Sequence, residues 1–114
     1  MFEKRKHKRR NLLYYLSVNE KSTGKTIGRL VDITTDGLKL ISEKSIKDTK
    51  DFKLLLILPE LIDNKSEIYF EAKSIKCERN GLSDFYLTGF KFLDIGEEEL
   101  HIVSKLINEF EFPE

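Results

Sequence analysis

"TIGRLVDITTDGLKLIS", residues 26–42, decides the fold. Apolar and polar side chains alternate from Ile27 to Ile33, "TTDG" at 34–37 interrupts, and alternation resumes from Leu38. A period of two marks a strand with one buried face. Asp-Gly marks a tight turn, because hairpin turns call for positive backbone angles that aspartate tolerates and glycine takes freely. The stretch predicts two antiparallel strands, Thr26–Thr34 and Leu38–Ser42, with Ile27, Val31 and Ile33 on one side of the first.

The same pattern extends in both directions. Upstream, Leu12, Tyr14, Leu16 and Val18 share one face of a strand ending at Asn19, and "EKSTGK" at 20–25 turns the chain around Gly24. Downstream, Phe52–Leu58 is a continuous apolar strand closed by Pro59, and "DNKS" at 63–66 makes a turn. Ile68–Cys77 alternates with Ile68, Phe70 and Ala72 on one face. A loop around Gly81 leads to Phe85–Leu93, where Tyr86, Thr88, Phe90 and Phe92 share a side. The period then becomes helical: Leu100, Val103, Leu106, Ile107 and Phe110 fall on one face. Asp94 and Glu97 have capping-box spacing, and Glu97, Glu98 and Glu99 suit the positive end of a helix. The expected fold is mainly β: a six-stranded antiparallel barrel with a C-terminal α-helix over 95–110. Short strands close into a barrel because closure removes unpaired edges.

The chain has 114 residues, 39% of them hydrophobic, which suits one domain with a modest core. No apolar run approaches the roughly 20 residues of a membrane helix. The basic start resembles the head of a signal peptide, but Leu12–Val18 is short and no small-residue cleavage site follows. The expectation is a cytoplasmic protein without membrane insertion. Cys77 is the one cysteine, which excludes a disulfide scaffold and a cysteine-built zinc site, and reads as a small buried hydrophobe. Net charge is zero, yet residues 1–53 carry 14 Lys+Arg against 7 Asp+Glu, and the rest carry the opposite excess. That asymmetry disfavours coating of DNA or RNA and permits a local anion site. His7 and His101 stand far apart, and no phosphate loop, nucleophile elbow or HExxH is present, so no enzyme is expected.

Two short motifs remain. Arg5-Lys6-His7-Lys8-Arg9, an R-x-x-x-R, is followed by Arg10. Asp32-Ile33-Thr34-Thr35-Asp36-Gly37 is a D-x-T-x-x-G. Each alone is weak. Their order, with the arginine run before the first strand and the second motif closing the second strand, resembles the PilZ domain, a bacterial receptor for cyclic di-GMP. The resemblance covers Glu3 to Phe110 and includes "YLTGFKFLDI" before the helix. The family's motifs are R-x-x-x-R and [D/N]-x-S-x-x-G, and Thr34 stands where serine is usual. The resemblance divides the chain into a basic arm, 1–11, and a PilZ barrel with its helix, 12–114.

The resemblance implies a ligand and a site: cyclic di-GMP, with no further cofactor and no metal, held by Arg5, Arg9, Arg10, Asp32, Thr34 and Gly37. The chemistry suits those residues. A guanidinium fork matches guanine O6 and N7, or a phosphate oxygen pair. A carboxylate at Asp32 accepts from guanine N1–H and its 2-amino group, which adenine lacks. Thr34 offers a hydroxyl, and Gly37 leaves room near the backbone. Some family members stack a guanine on an aromatic near the end of the penultimate strand; here that region is Ile75–Arg79, and Arg79 is the planar group available for stacking. The implied mechanism is ordering of the arm over the ligand, read by an unidentified downstream protein that docks on the helix or the "EFPE" end. Two alternatives stay open: a PilZ-type interaction module that binds no nucleotide, and a small RNA-binding barrel using Tyr14 or Tyr15.

Overall fold

A computed structural model describes residues 16–109. Six antiparallel strands close into a barrel: β1 (Ser17–Glu20), β2 (Thr26–Ile33), β3 (Gly37–Ser42), β4 (Asp51–Ile62), β5 (Lys65–Arg79) and β6 (Tyr86–Ile95). Their order around the barrel is β1-β2-β3-β6-β5-β4, with β4 closing back on β1. One helix, α1 (Glu97–Glu109), follows. The sequence-predicted architecture is the one observed. Leu12, Tyr14, the arm 1–11 and Phe110 lie outside the described residues.

The core fills the barrel with the inward residues of each strand. Leu30, Leu40, Leu54, Leu56 and Phe70 are fully buried, and Ile102, Val103 and Leu106 of α1 join them. Edge-to-face ring pairs, Phe52–Phe90 at 5.7 Å and Phe70–Phe92 at 5.1 Å, tie β4, β5 and β6 together. The helix therefore spends its apolar face on the core. It starts at Glu97 rather than 95, because Asp94 and Ile95 still pair with Glu71 and Phe70 of β5. Gly96 takes the capping position instead of Asp94: its carbonyl accepts the Leu100 N–H (2.9 Å), and the Glu99 carboxylate folds back over it. Lys105 anchors the helix to Asp63 in the β4–β5 turn at 2.7 Å.

Three further local expectations need correction. On β2 the inward residues are Gly28, Leu30 and Ile33, not Ile27, Val31 and Ile33. Leu30 faces Leu40 and Asp32 faces Lys39, so Val31 is an extra residue, and the bulge changes which face is buried. The "TTDG" turn exists but uses no positive φ. It closes through Thr34 N–H to the Gly37 carbonyl (2.8 Å), and the Thr34 hydroxyl accepts the Asp36 N–H (3.1 Å). Pro59 does not end β4. The strand continues to Ile62, and Pro59 falls where β4 and β5 lose register, so no ladder donor is missed. The β4–β5 turn does use the left-handed region, at Asp63 (φ 52°) and Asn64 (φ 65°), as a two-residue hairpin requires.

Candidate functional site

The second motif is assembled at one edge of the barrel. Asp32, next to last in β2, is exposed to solvent because the Val31 bulge turns it outward beside Lys39. Its carboxylate accepts the Ile33 N–H at 2.9 Å, which fixes the side chain close to its own backbone. Thr34 follows on the turn. Its oxygen accepts the Asp36 N–H, which sets its rotamer and leaves the O–H free to donate. The turn is held from below: Phe92 N–H donates to the Asp36 carbonyl at 2.9 Å.

Gly37 is needed for a different reason from the expected one. A Cβ there would collide with the Phe90 carbonyl of β6. The missing side chain makes room for β6, in register with Lys91, rather than for a ligand. Gly37 builds the site by letting β3 and β6 meet directly under the turn.

Asp32, Thr34 and Gly37 line one open groove of about 620 Å³, within the roughly 300–1,000 Å³ of small-molecule sites. Sequence reasoning missed four contributors. Lys39 and Lys91 supply cations, Ile75 an apolar wall, and Gly89 an empty stretch of floor where a Cβ would meet nothing within 4 Å. Ile75 reaches the groove through a second bulge: Ser74 faces Phe90 and Lys76 faces Gly89, so Ile75 is extra and half-exposed. Lys39 was readable as the hairpin partner of Asp32. Gly89 also carried a signal, since a lone glycine within a strand marks a bulge or a close approach. Lys91 and Ile75 depended on long-range pairing and on a bulge.

Arg79 is not in this groove. It pairs with Tyr86 at the far end of the β5–β6 ladder, donates to the Ser83 carbonyl (3.2 Å) and leans over the Tyr86 ring. The apolar Ile75 occupies the β5 position facing the groove. Cys77 is half-buried rather than buried; its sulfur accepts the Ile46 N–H at 3.3 Å. Arg5, Arg9 and Arg10 lie outside the described residues. Leu16, the first described residue, accepts the Leu30 N–H at 2.8 Å, so the preceding chain enters the barrel two residues from Asp32.

Comparison with known proteins decides the family. The PilZ domain family matches residues 3–109. The chain belongs to the PilZ domain family. PilZ domains are regulatory receptor modules, and the family binds cyclic di-GMP. A solved structure of the Bacillus subtilis inhibitor of motility (MotI/DgrA) superposes with a TM-score of 0.62 at 17% identity, over 79% of this chain. This PilZ chain spans 44% of that protein's length, and the likeness is one of fold. No curated protein matches. Among the described residues, no helix is long and apolar enough to cross a membrane.

Proposed function

We propose that this PilZ domain is a cyclic di-GMP receptor in which the Asp32–Thr34 groove and the arginines at 5, 9 and 10 hold one ligand between them. The observation that carries this reading is where the chain enters the barrel. Leu16 is bonded beside Leu30, two residues from Asp32. Arg10 is six residues further back, so its Cα lies within about 21 Å of Leu16 in any conformation. Arg9 and Arg5, seven and eleven residues before Leu16, have tethers of at most about 25 and 40 Å, long enough to let the R-x-x-x-R motif reach the groove.

The roles follow from the chemistry. Asp32 reads the guanine N1–H and 2-amino edge, Thr34 donates its hydroxyl, and Lys39 and Lys91 offset phosphodiester charge. The guanidinium forks take guanine O6/N7 and phosphate oxygens. Binding neutralises repulsion within the basic run and fixes it over the groove, and a downstream partner protein reads the new surface. The solved neighbour's name, an inhibitor of motility, fits a domain of this fold that acts on other machinery.

Calorimetry with cyclic di-GMP, cyclic di-AMP and GTP tests the proposal. A single saturable event selective for cyclic di-GMP is expected. Arg9→Ala should weaken it by about 2–4 kcal/mol, since it strands a desolvated charge. Arg9→Lys should also weaken it, because an ammonium cannot form the planar fork. Wild-type affinity in both variants, or no heat with any nucleotide, would refute the reading; the latter result favours a PilZ-type interaction module without a nucleotide.

A further inference from the structure

At the barrel end away from Asp32, the β1–β2 turn, the β3–β4 loop and the β5–β6 hairpin edge a second groove of about 620 Å³. Its floor is apolar: Ile27, Ile46 and Phe52 are partly buried and pack on the core. Its walls carry five cations, Lys25, Arg29, Lys44, Lys47 and Lys50, against two carboxylates, Glu20 and Glu43.

The backbone of the β3–β4 loop, which carries three of those lysines, is pinned to β5. Thr49 N–H donates to the Ser74 carbonyl (2.8 Å), Lys50 N–H to the Ser74 hydroxyl (3.0 Å), and Cys77 N–H to the Asp48 carboxylate (2.8 Å). Thr49 sits at φ 55°, where a β-branched residue is rare, so the loop keeps an unfavourable backbone to hold this shape. Lys50 lies over the Phe52 ring at 5.0 Å, and three of the other wall cations have no carboxylate paired with them among the described residues. Lys65, Lys73, Lys76 and Lys105 each pair with a carboxylate, whereas Lys25, Lys44 and Lys47 make no ion pair among the described residues. Next to them the β5–β6 hairpin exposes Leu82 fully and Phe85 by 41%.

We propose that this mouth docks an acidic, aromatic-bearing segment of a partner protein. An aromatic side chain suits the apolar floor, and carboxylates flanking it meet lysines carried on that pinned backbone. An apolar anchor inside a charged rim is the usual anatomy of a binding hot spot. A polyphosphate chain offers no apolar anchor for the floor. The groove lies at the opposite ends of β2 and β3 from Asp32, so the proposal does not depend on what the Asp32 groove binds.

The test uses fluorescence anisotropy with a labelled hexapeptide, Glu-Phe-Glu-Phe-Pro-Glu, which has the sequence of residues 109–114. Saturable binding is expected, weakened about tenfold by Lys44→Glu/Lys47→Glu and by Phe→Ala changes in the peptide. Both lysines are exposed, and an unchanged melting curve establishes that the variant folds. Asp32→Ala should leave peptide binding unaltered. The proposal is overturned by absence of saturable binding, by equal binding to the charge-reversed protein, or by equal binding of a Gln-for-Glu peptide. Flotation with phosphatidylglycerol vesicles without peptide binding would assign the mouth to a membrane instead. Concentration-dependent dimerisation lost on Phe110→Ala/Phe112→Ala would assign it to a second copy.

Discussion

Two glycines on β3 and β6 carry opposite instructions. Gly37 has no room for a side chain because the Phe90 carbonyl occupies it. Gly37→Ala should lower stability by about 1–3 kcal/mol, read from a urea transition, since β6 must shift to admit the methyl. Gly89 has open space above it and no positive φ. Gly89→Leu should therefore leave the melting temperature nearly unchanged while filling the proposed ligand groove and weakening cyclic di-GMP binding at least tenfold. A variant that folds and binds normally would show that the ligand does not use that floor. Thr88 supplies a third test. Its hydroxyl is fully buried and has no partner among the described residues. Thr88→Val keeps the shape and removes the stranded polar atom, so it should stabilise the barrel by about 1 kcal/mol in the same urea assay. The sequence revealed Asp32, Thr34 and Gly37 as a unit. It did not reveal why Gly37 is glycine, because the colliding carbonyl belongs to a strand about fifty residues away.

At the scale of elements, the strands, turns and helix were legible because their periods of two and 3.6 are written locally. Errors came where a strand departs from its period. Val31, Ile75 and Leu93 are each skipped in their ladders, and only the partner strand shows it. The first two departures border the candidate site and turn Asp32 and Ile75 outward. Pro59 misled in the same way, since its harmlessness depends on register lost between Ile57 and Ile62. The helix start moved because strand pairing of Asp94 and Ile95 outcompeted a local cap. The docking of α1 on the β4–β5 turn has a pH signature. The Lys105 ammonium, through its hydrogen bond, holds the Asp63 carboxyl below its ordinary value. A lowered folded pKa gives stability that is present above the unfolded carboxylate pKa and lost as pH falls through the folded one. Asp63→Asn should therefore lower the melting temperature slightly at pH 7 and have no effect once the pH is below the folded pKa. An equal effect at both pH values would show that the ion pair does not stabilise the docking.

Across the whole molecule, the barrel offers two mouths of different character. One has the PilZ motif groove beside the entry of the basic segment; the other has lysines around an apolar floor. Composition could not locate either, because a neutral total hides where charges gather once strands close. Ionic strength separates them. Cyclic di-GMP is a dianion, and the proposed site would hold it by several charge-assisted bonds, so its affinity should fall with added salt, and the acidic peptide's should fall independently at the other end. Coupling between the two, seen as a change in one affinity when the other site is filled, would make the barrel wall the transmitter.

The surplus residue at Val31 also bears on how such a strand tolerates length changes. Removing it would let Leu30 and Ile33 keep their places inside while Asp32 stayed outside, because a skipped rung would simply vanish from the ladder. Removing Arg29 instead would swap interior for exterior on the residues of β2 that precede it. Indels in this hairpin should thus be survivable at position 31 and ruinous a few positions earlier, which a deletion scan scored by soluble yield would reveal.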